Sequence, residues 1–350
     1  MLRAEWCKYR LDFKFLAKTS RESMLYKDTY FVRLYDESSP EKYGVGECGL
    51  FKGLSADDVA GYEDVLTSVC QNPEGPLPQM SSIVMGFETA FRDLAGGSRR
   101  VIYDSDWLDG RRGIEINGLI WMGDKQLMFE RVREKIDAGF KVLKLKIGGI
   151  DFDEELDILD HIRRQFSPSD LTIRLDANGS FSVGNALDRL DRLSRYAIHS
   201  IEQPIKAGQI AEMARICRRS PIDIALDEEL IGMTSDERKQ ALLNEIRPRY
   251  IILKPTLCGG FAEADRWIAS ADSLGIGWWA TSALESNIGL NAIAQWLAAK
   301  DNPLPQGLGT GALYYNNIPS PIEQRGSHLF YNPAKCWQIP DLSWRQQKIS

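Results

Sequence analysis

Two lysines, Lys144 and Lys146, lie inside the short apolar run LKLKI. Successive side chains of a strand point to opposite faces, so both lysines would point to one face and the apolar residues to the other. A buried ammonium group is costly unless it meets an opposite charge. Carboxylates are therefore expected at the ends of neighbouring strands, and the sequence provides them at Asp176, Glu202 and Asp227.

These acids and a further lysine recur at a nearly constant spacing. The intervals from Asp176 to the second acid, to the third acid and then to Lys254 are 26, 25 and 27 residues. Each interval has the length of one strand, one helix and two turns, and this alternation favours a parallel sheet. A closed barrel of such units carries its chemistry at the carboxyl ends of its strands. The spacing predicts an α/β fold, a (β/α)8-type barrel (modified TIM barrel), with the first of eight strands at residues 113–122 and the last at 306–311.

The length of the chain indicates a second unit beside the barrel. The 350 residues exceed the roughly 250 of a typical barrel of this kind. Residues 1–105 contain strand patterns followed by helical patterns, which predicts an N-terminal α+β capping domain. The barrel domain carrying the active site is predicted at residues 106–319, and the tail at 320–350 is expected to pack back on the capping domain and complete it.

Charge and cysteine content exclude several classes of function. The net charge is -6, with acids and bases interspersed, so no basic stripe for nucleic acid and no polybasic membrane anchor is present. No run is long and apolar enough to span a bilayer. The six cysteines lack a paired metal or redox spacing, which fits a reducing compartment. These features predict a cytoplasmic protein that acts on a small molecule, and they leave the oligomeric state open.

Three carboxylates on adjacent strand ends indicate a metal site. Ionised together in a dehydrated cleft, Asp176, Glu202 and Asp227 would repel one another, and a hard divalent cation relieves this repulsion. Neither His nor Cys is among the predicted ligands to favour zinc. The predicted cofactor is Mg²⁺, with Mn²⁺ as an alternative. Two further polar residues beside these acids, Asn178 and Glu228, are predicted to contact the substrate and to support the metal ligands, respectively.

The lysines flank the predicted metal site, because the strands that carry the acids separate Lys146 from Lys254. A lysine acts as a base only when its pKa falls toward neutrality, through burial or nearby positive charge. The predicted reaction is removal of a proton next to a carboxylate whose oxygens bind the metal, so that the metal stabilises an enediolate. For Lys144 a positioning or ion-pairing role, in contact with the substrate, is preferred over proton transfer.

Six short motifs together resemble one enzyme family. In chain order they are KLK, LDAN, IEQP, LDEE, LKP and SALES, and they resemble the enolase superfamily, in particular its muconate-lactonizing subgroup with two lysines. The segments GVGEC and GFETAFRDL resemble the capping domain of that family. The resemblance spans nearly the whole chain and implies the barrel fold, a Mg²⁺ site and a lysine base.

Within the subgroup the resemblance implies a dehydration in menaquinone biosynthesis, in which a succinyl-hydroxycyclohexadiene carboxylate becomes aromatic. Lys146 would remove the proton beside the ring carboxylate and then protonate the departing hydroxide, a syn elimination. Lys254 would stabilise the charge on the other side of the ring, and Ser282 and its neighbours would contact substrate carboxylates. A flap from about Lys18 to Lys27 would close over the ligand.

Other activities of the same family remain as alternatives. An N-acylamino-acid racemase or a cycloisomerase would use the same catalytic residues. A dipeptide epimerase needs an acid for the ammonium group of its substrate, and the segment GLGTGALYYNN, which covers most of the last strand and the loop after it, has none. A sugar-acid dehydratase of the histidine type needs a catalytic histidine near the seventh strand, but His161, His199 and His328 lie elsewhere. An inactive scaffold is disfavoured because all five ligands and lysines are present.

Overall fold

The computed structural model describes residues 1–18 and 23–345. The strands within these residues are β1 (Leu2–Lys18), β2 (Ser23–Asp36), β3 (Tyr43–Cys48), β4 (Ile114–Glu115), β5 (Gly118–Ile120), β6 (Val142–Lys146), β7 (Thr172–Asp176), β8 (Ile198–Glu202), β9 (Ile224–Leu226), β10 (Tyr250–Leu253), β11 (Gly277–Ala280), β12 (Ile322–Arg325) and β13 (His328–Tyr331). The helices are α1 (Tyr62–Gln71), α2 (Ser81–Ala95), α3 (Lys125–Asp137), α4 (Phe152–Gln165), α5 (Ala186–Ser194), α6 (Ile210–Arg219), α7 (Asp236–Ile246), α8 (Pro255–Cys258), α9 (Gly260–Asp272) and α10 (Asn287–Ala298).

The first three strands form an antiparallel sheet in the order β1-β2-β3. Helix α2 packs closely on β3 because glycines face each other at the contact. A Cβ atom at Gly46 would lie 1.8 Å from the carbonyl oxygen of Gly86, so neither position tolerates a side chain. A separate apolar cluster that includes Val32, Leu66 and Phe87 fills the space between sheet and helices. This sheet and its helices correspond to the unit predicted for the N-terminal part of the chain.

The second part of the chain is the barrel. Among the described residues, a seven-stranded sheet has the order β11-β10-β9-β8-β7-β6-β5, with every neighbouring pair parallel. Helices alternate with these strands, and their buried apolar side chains join those of the strands in one large core. The predicted α/β barrel fold with an N-terminal α+β sheet is confirmed. The parallel arrangement brings the carboxyl ends of all seven strands to one rim.

Two details of the predicted barrel differ in the structure. The expected first strand, residues 113–122, is split into β4 and β5, and β4 pairs antiparallel with β13 instead of entering the barrel. The expected last strand is reduced to Gln306 and Gly307, which bridge β11 on one side and the segment between β4 and β5 on the other. Glycines and prolines in this region weaken strand formation, so only a two-residue contact closes the ring.

The described part of the C-terminal tail contacts both units, and its assignment to the capping domain stays a prediction. The hairpin β12–β13 pairs with β4, and Leu329 packs in the barrel core. Only the residues after it reach the N-terminal sheet, where Leu342 packs against Cys7 and Phe31. The hairpin lies on the barrel because β4 offers it a free strand edge. The exact domain boundaries stay a prediction.

The strand register explains how the polar residues meet. Lys146 is paired with Asp176 between β6 and β7, and Asp176 is paired with Glu202 between β7 and β8. Because paired residues of parallel strands lie side by side, these three side chains stand at one level of the rim. Asp227 directly follows β9 and Lys254 directly follows β10.

In the part of the chain that the structure describes, no helix combines the length and the apolar character needed to cross a membrane.

Candidate active site

The three predicted metal ligands converge. Asp176, Glu202 and Asp227 each offer one carboxylate oxygen, and these three oxygens lie within 4.8 Å of one another. All three side chains are buried. Oxygen donors at this separation, with no nitrogen or sulfur ligand in the set, are suited to a hard divalent cation. The triad could therefore hold a metal ion.

Two observations of the triad test whether a cation fits it. Oε1 of Glu202 is buried and has no hydrogen-bond partner among the described residues. Burial raises the pKa of Glu202 to about 8, and the charges of Asp176 and Asp227 add to this effect although Lys144 opposes it. A buried carboxyl group with an unsatisfied oxygen and two acidic neighbours has the electrostatic need that a bound cation meets. The residues present fit a divalent metal ion.

Lys144 is held between two of the acids. Its Nζ donates a hydrogen bond of 2.5 Å to Oε2 of Glu202 and lies 3.0 Å from Oδ2 of Asp176. Burial alone would lower the pKa of Lys144, but the carboxylates of Asp176 and Glu202 outweigh it and raise that pKa. Because its pKa is raised, Lys144 is better suited to positioning and charge balance than to proton abstraction.

Lys146 has the opposite electrostatic character. Its Nζ donates to Oδ2 of Asp176 at 2.6 Å and to Oδ1 of Asn178 at 2.9 Å. Burial lowers the pKa of Lys146; Asp176 opposes this effect, whereas the positive charges of Lys144 and Lys254 add to it. Of the three lysines at the rim, this one has the lowered pKa that a base requires.

Lys254 lies across the site from Lys146. Lys146 is the last residue of β6, and Lys254 directly follows β10. Three strands, β7, β8 and β9, lie between β6 and β10 in the sheet. The Nζ of Lys254 donates to Oδ2 of Asp227. Burial lowers the pKa of Lys254, but Asp227 and Glu228 more than compensate and the pKa is raised. Lys254 is therefore suited to act as a fixed positive charge.

Asn178 and Glu228 form a bridge behind Lys146. The side-chain amide of Asn178 accepts from Lys146 and donates to Oε1 of Glu228 at 3.1 Å. The backbone of Asn178 has a φ of 46°, a left-handed conformation that asparagine tolerates better than most residues. Both residues therefore lie beside Lys146 and the acids. Asn178 also lines the central cavity, which is bordered by Lys144, Lys146 and Lys254. The contact of Asn178 with a substrate and the support of the metal ligands by Glu228 stay predictions.

Ser282 lines the same cavity, but its hydroxyl group is already engaged. It donates to Oε2 of Glu285 at 2.5 Å and accepts from the backbone N–H groups of Leu284 and Glu285. The backbone N–H of Ser282 donates to the carbonyl of Gly307. The single hydroxyl proton is therefore used within the protein. The predicted contact between Ser282 and a substrate carboxylate has no free donor on this residue and stays a prediction.

The predicted flap is only partly within the described residues. Residues 19–22, which include Ser20, lie outside them. The remainder belongs to strands, since Lys18 ends β1 and Ser23 begins β2. Met24 lines the central cavity, and Lys27 is buried. The second half of the predicted flap is therefore part of the capping sheet.

Three cavity residues escaped the sequence analysis. Asn117, Thr281 and Thr310 line the central cavity, and each has a buried side-chain oxygen with no hydrogen-bond partner among the described residues. They lie where the ring is closed between β11 and β5, across the barrel from the acid on β8. Thr281 directly precedes the SALES motif, which was the available signal. The other two had none, because their proximity depends on closure of the ring.

Comparison with known proteins identifies the family. Residues 127–330 match the model of the family described as enolase C-terminal domain-like. The chain belongs to this family. It is 44% identical to the o-succinylbenzoate synthase of Desulfotalea psychrophila, over 91% of this chain and 96% of that protein.

A solved structure and a further relative agree with this assignment. The crystal structure of MenC from Desulfotalea psychrophila superimposes with a TM-score of 0.82 and 40% identity, covering 94% of this chain and 99% of that chain. An N-succinylamino acid racemase of Thermus thermophilus is 30% identical over 51% of this chain and 54% of its own length. The first relative matches along nearly the whole of both chains, whereas the racemase matches only about half.

Proposed function

We propose that the protein is an o-succinylbenzoate synthase, a lyase that removes water from a succinyl-hydroxycyclohexadiene carboxylate in menaquinone biosynthesis. The observation that carries the proposal is the likeness to the Desulfotalea psychrophila synthase, which extends over almost the full length of both chains. The pair of lysines on opposite sides of a triad of acids supports the same reaction, because a syn elimination needs one base and one fixed positive charge across the substrate.

Asp176, Glu202 and Asp227 would hold the metal ion, which we propose to be Mg²⁺ because all donors are carboxylate oxygens. When bound, the ion supplies positive charge to the substrate carboxylate and so eases removal of the neighbouring proton. Lys144 supports this site by contacting two of the ligands. It orients their carboxylates and does not contribute a transferable proton.

Lys146 is the proposed base and acid. Its pKa is lowered by burial and by the neighbouring lysines against the pull of Asp176, so the neutral amine is accessible. It takes the proton from the carbon beside the ring carboxylate, and the same proton then passes to the departing hydroxide, which leaves as water. The hydrogen bond with Asn178 keeps Nζ in place during both steps. One residue therefore performs both transfers on one face of the ring.

Lys254 is proposed to stabilise the negative charge that develops on the substrate. Because Asp227 and Glu228 raise its pKa against the effect of burial, it remains an ammonium group and does not compete for the proton. The lowered pKa of Lys146 and the raised pKa of Lys254 favour Lys146 as the residue that takes the proton.

The side of the barrel where Gln306 and Gly307 link β11 to the segment before β5 is proposed to bind the succinyl arm of the substrate. This arm carries a ketone and a carboxylate, which accept hydrogen bonds and donate none. Thr281 and Thr310 each provide a hydroxyl donor, and their buried oxygens, which have no partner among the described residues, make a ligand there favourable. Apolar side chains such as Trp121 and Leu284 line the same cavity and suit the ring of the substrate.

The test is an assay of the purified protein on the cyclohexadiene substrate beside a panel of N-succinylamino acids and dipeptides. We expect dehydration to have the highest kcat/KM, to require Mg²⁺ and to be lost after chelation. Racemisation of an N-succinylamino acid with a higher kcat/KM than dehydration would replace the proposal by the racemase. Turnover of dipeptides alone would contradict both.

A further inference from the structure

A buried ammonium group lies outside the catalytic machinery, at the contact between the capping sheet and the barrel. Lys27 is on β2, is only 6% exposed, and its Nζ has no hydrogen-bond partner among the described residues. Strand alternation places it on the same face as Thr29 and Phe31, both of which are also buried. An unpaired ammonium group in such a place is costly unless nearby charge compensates it.

The Lys27 ammonium reaches barrel residues across Gly49. A Cβ atom at Gly49 would lie 3.8 Å from Nζ of Lys27, 3.3 Å from Cγ of Glu285 and 3.0 Å from Cγ2 of Thr256. These three side chains therefore meet around one glycine. The absence of a side chain at Gly49 leaves the space in which the lysine approaches the barrel.

Two buried carboxylates face this ammonium group, and both already have their hydrogen bonds. Glu47, on β3, is 1% exposed and accepts from Thr29, from the backbone and hydroxyl of Ser286, and from the backbone N–H of Gly289. Glu285 is fully buried and accepts from Thr256 and Ser282 at 2.5 Å each. Lys27 therefore contributes charge to this group of side chains, and not a hydrogen bond.

Glu285 connects this charge to the active site. Ser282 lines the central cavity. Thr256 belongs to the short helix α8, which begins directly after Lys254. The next residue of α8, Leu257, donates its backbone N–H to the carbonyl of Lys254 at 2.8 Å. By binding both hydroxyl groups, Glu285 ties the segment after β11 to the segment that carries Lys254.

The balance of charge shows why Lys27 matters to this connection. Burial raises the pKa of Glu285, and the charge of Lys27 is the first of the effects that oppose it. Without a nearby cation, burial and the charge of Glu47 would strongly disfavour the ionised form of Glu285. A protonated Glu285 has one oxygen that donates and can no longer accept equally from both hydroxyl groups.

We propose that Lys27 is a positioning residue for the reaction, which acts by keeping Glu285 anionic and thereby holding Ser282 and Thr256 around Lys254. The inference rests on the proposed function for its assay. It gives the capping sheet a part in turnover although Lys27 is not among the residues that line the central cavity. Such a contribution would appear in kcat and not in KM, because Lys254 acts on charge that develops during the reaction.

The experiment is a double-mutant cycle of Lys27→Met and Glu285→Gln, with kcat, KM and the free energy of unfolding measured for each variant. We expect Lys27→Met to lower kcat by about tenfold or more, in line with the effect of small misplacements in active sites, with KM changed by less than about twofold. In the Glu285→Gln background the same substitution should have little effect, because a neutral side chain needs no compensating charge.

Two further variants complete the test. Lys27→Arg keeps the charge and should retain more activity than Lys27→Met, whereas Lys14→Met, on the exposed face of β1, should leave kcat unchanged. Equal losses from Lys27→Met in both backgrounds, or a Lys27→Met enzyme with normal kcat, would overturn the proposal. A variant that loses activity only because it unfolds is recognised from its unfolding curve, and Lys27→Arg then decides.

The cycle is independent of the exact substrate. If the protein racemises N-succinylamino acids and does not dehydrate the cyclohexadiene, the proposed function fails, and the same four proteins are compared by racemisation. A non-additive effect there would support the role of Lys27 on its own. Additive effects on both turnover and unfolding would refute it regardless of the reaction.

Discussion

Nζ of Lys146 lies 2.6 Å from Oδ2 of Asp176, although 30 residues separate them in the chain. The two are register partners on adjacent parallel strands. The proposed base is therefore fixed beside a proposed metal ligand by backbone pairing, and the pair shares one level of the rim with Glu202.

Replacing Lys146 by alanine should abolish dehydration and leave metal binding intact. We expect kcat to fall by about 10²–10⁴-fold, the usual contribution of general acid–base catalysis. Steady-state kinetics gives kcat, and calorimetric titration with Mg²⁺ gives the affinity. Lys141→Ala, an exposed lysine just before the same strand, is the matched control. Near-normal turnover of the Lys146 variant would remove it from the mechanism.

Removing one acid of the triad should weaken metal binding. For Asp227→Asn we expect the affinity for Mg²⁺ to fall by at least about tenfold, since even groups outside the ligand sphere have effects of that size. Exhaustive chelation of the unmodified protein should abolish activity, and Mg²⁺ or Mn²⁺ should restore it. Asp223→Asn, an exposed acid just before β9, serves as control. Full activity after chelation would refute the metal requirement.

The two threonines at the closed side of the ring should determine selectivity for the succinyl arm. Valine has nearly the shape of threonine but no hydroxyl group. We expect Thr281→Val with Thr310→Val to lower kcat/KM by about tenfold to a hundredfold, the effect of losing one or two hydrogen bonds. The control is Thr172→Val, at the start of β7 and therefore at the end of that strand away from Asp176. For a substrate analogue without the succinyl arm, we expect kcat/KM to change little in the double variant and in the control. An equal loss of kcat/KM for the substrate and the analogue would contradict the assignment.

Protein stability should decrease as the pH rises through about 7, because of Glu155. Burial raises the pKa of this carboxyl to about 7 from an ordinary value of 4.5, although the backbone N–H groups of Gly148 and Gly149 oppose the shift. A raised pKa in the folded state means that its favourable contribution is fully present below pH 4.5 and is lost as the pH rises through about 7.

The variant Glu155→Gln should remove that dependence, because it cannot ionise. At pH values above 7 we expect it to be more stable than the unmodified protein by at most about 3 kcal/mol, as measured by urea unfolding at acidic and alkaline pH. Glu154→Gln, on the exposed side of the same helix turn, should behave like the unmodified protein. Parallel pH profiles for Glu155→Gln and the unmodified protein would rule out this carboxyl as the cause.

Periodic features of the sequence were sufficient for the fold class. The even spacing from Asp176 to Lys254 predicted repeated strand–helix units, and the structure has them in that order. Prediction failed where the pattern was short. Residues 306–311 contain three glycines and form only a two-residue bridge, and the segment before β5 breaks because β4 pairs with a distant hairpin that no local pattern reveals.

The candidate site was predictable to the extent that chemistry demanded it. Buried lysines require acids, and acids in a cleft require a cation, so the triad and its lysines followed from charge balance alone. The cavity residues Asn117 and Thr310 did not follow, because neutral polar residues without a motif are common on any surface. The hydrogen bond from the Ser282 hydroxyl to Glu285 could not be predicted either, since the orientation of the Ser282 side chain depends on the fold of the loop.

By itself, the sequence determined the alternation of strands and helices, the one rim on which the charged strand ends gather and the identity of the acids and lysines. Those properties depend on local periodicity and on the cost of burying charge, which are written residue by residue. Only the tertiary structure decided which lysine has the lowered pKa, how Gln306 and Gly307 close the ring, and that Lys27 meets Glu285. These properties depend on distances between residues far apart in the chain, and packing of the whole molecule sets such distances.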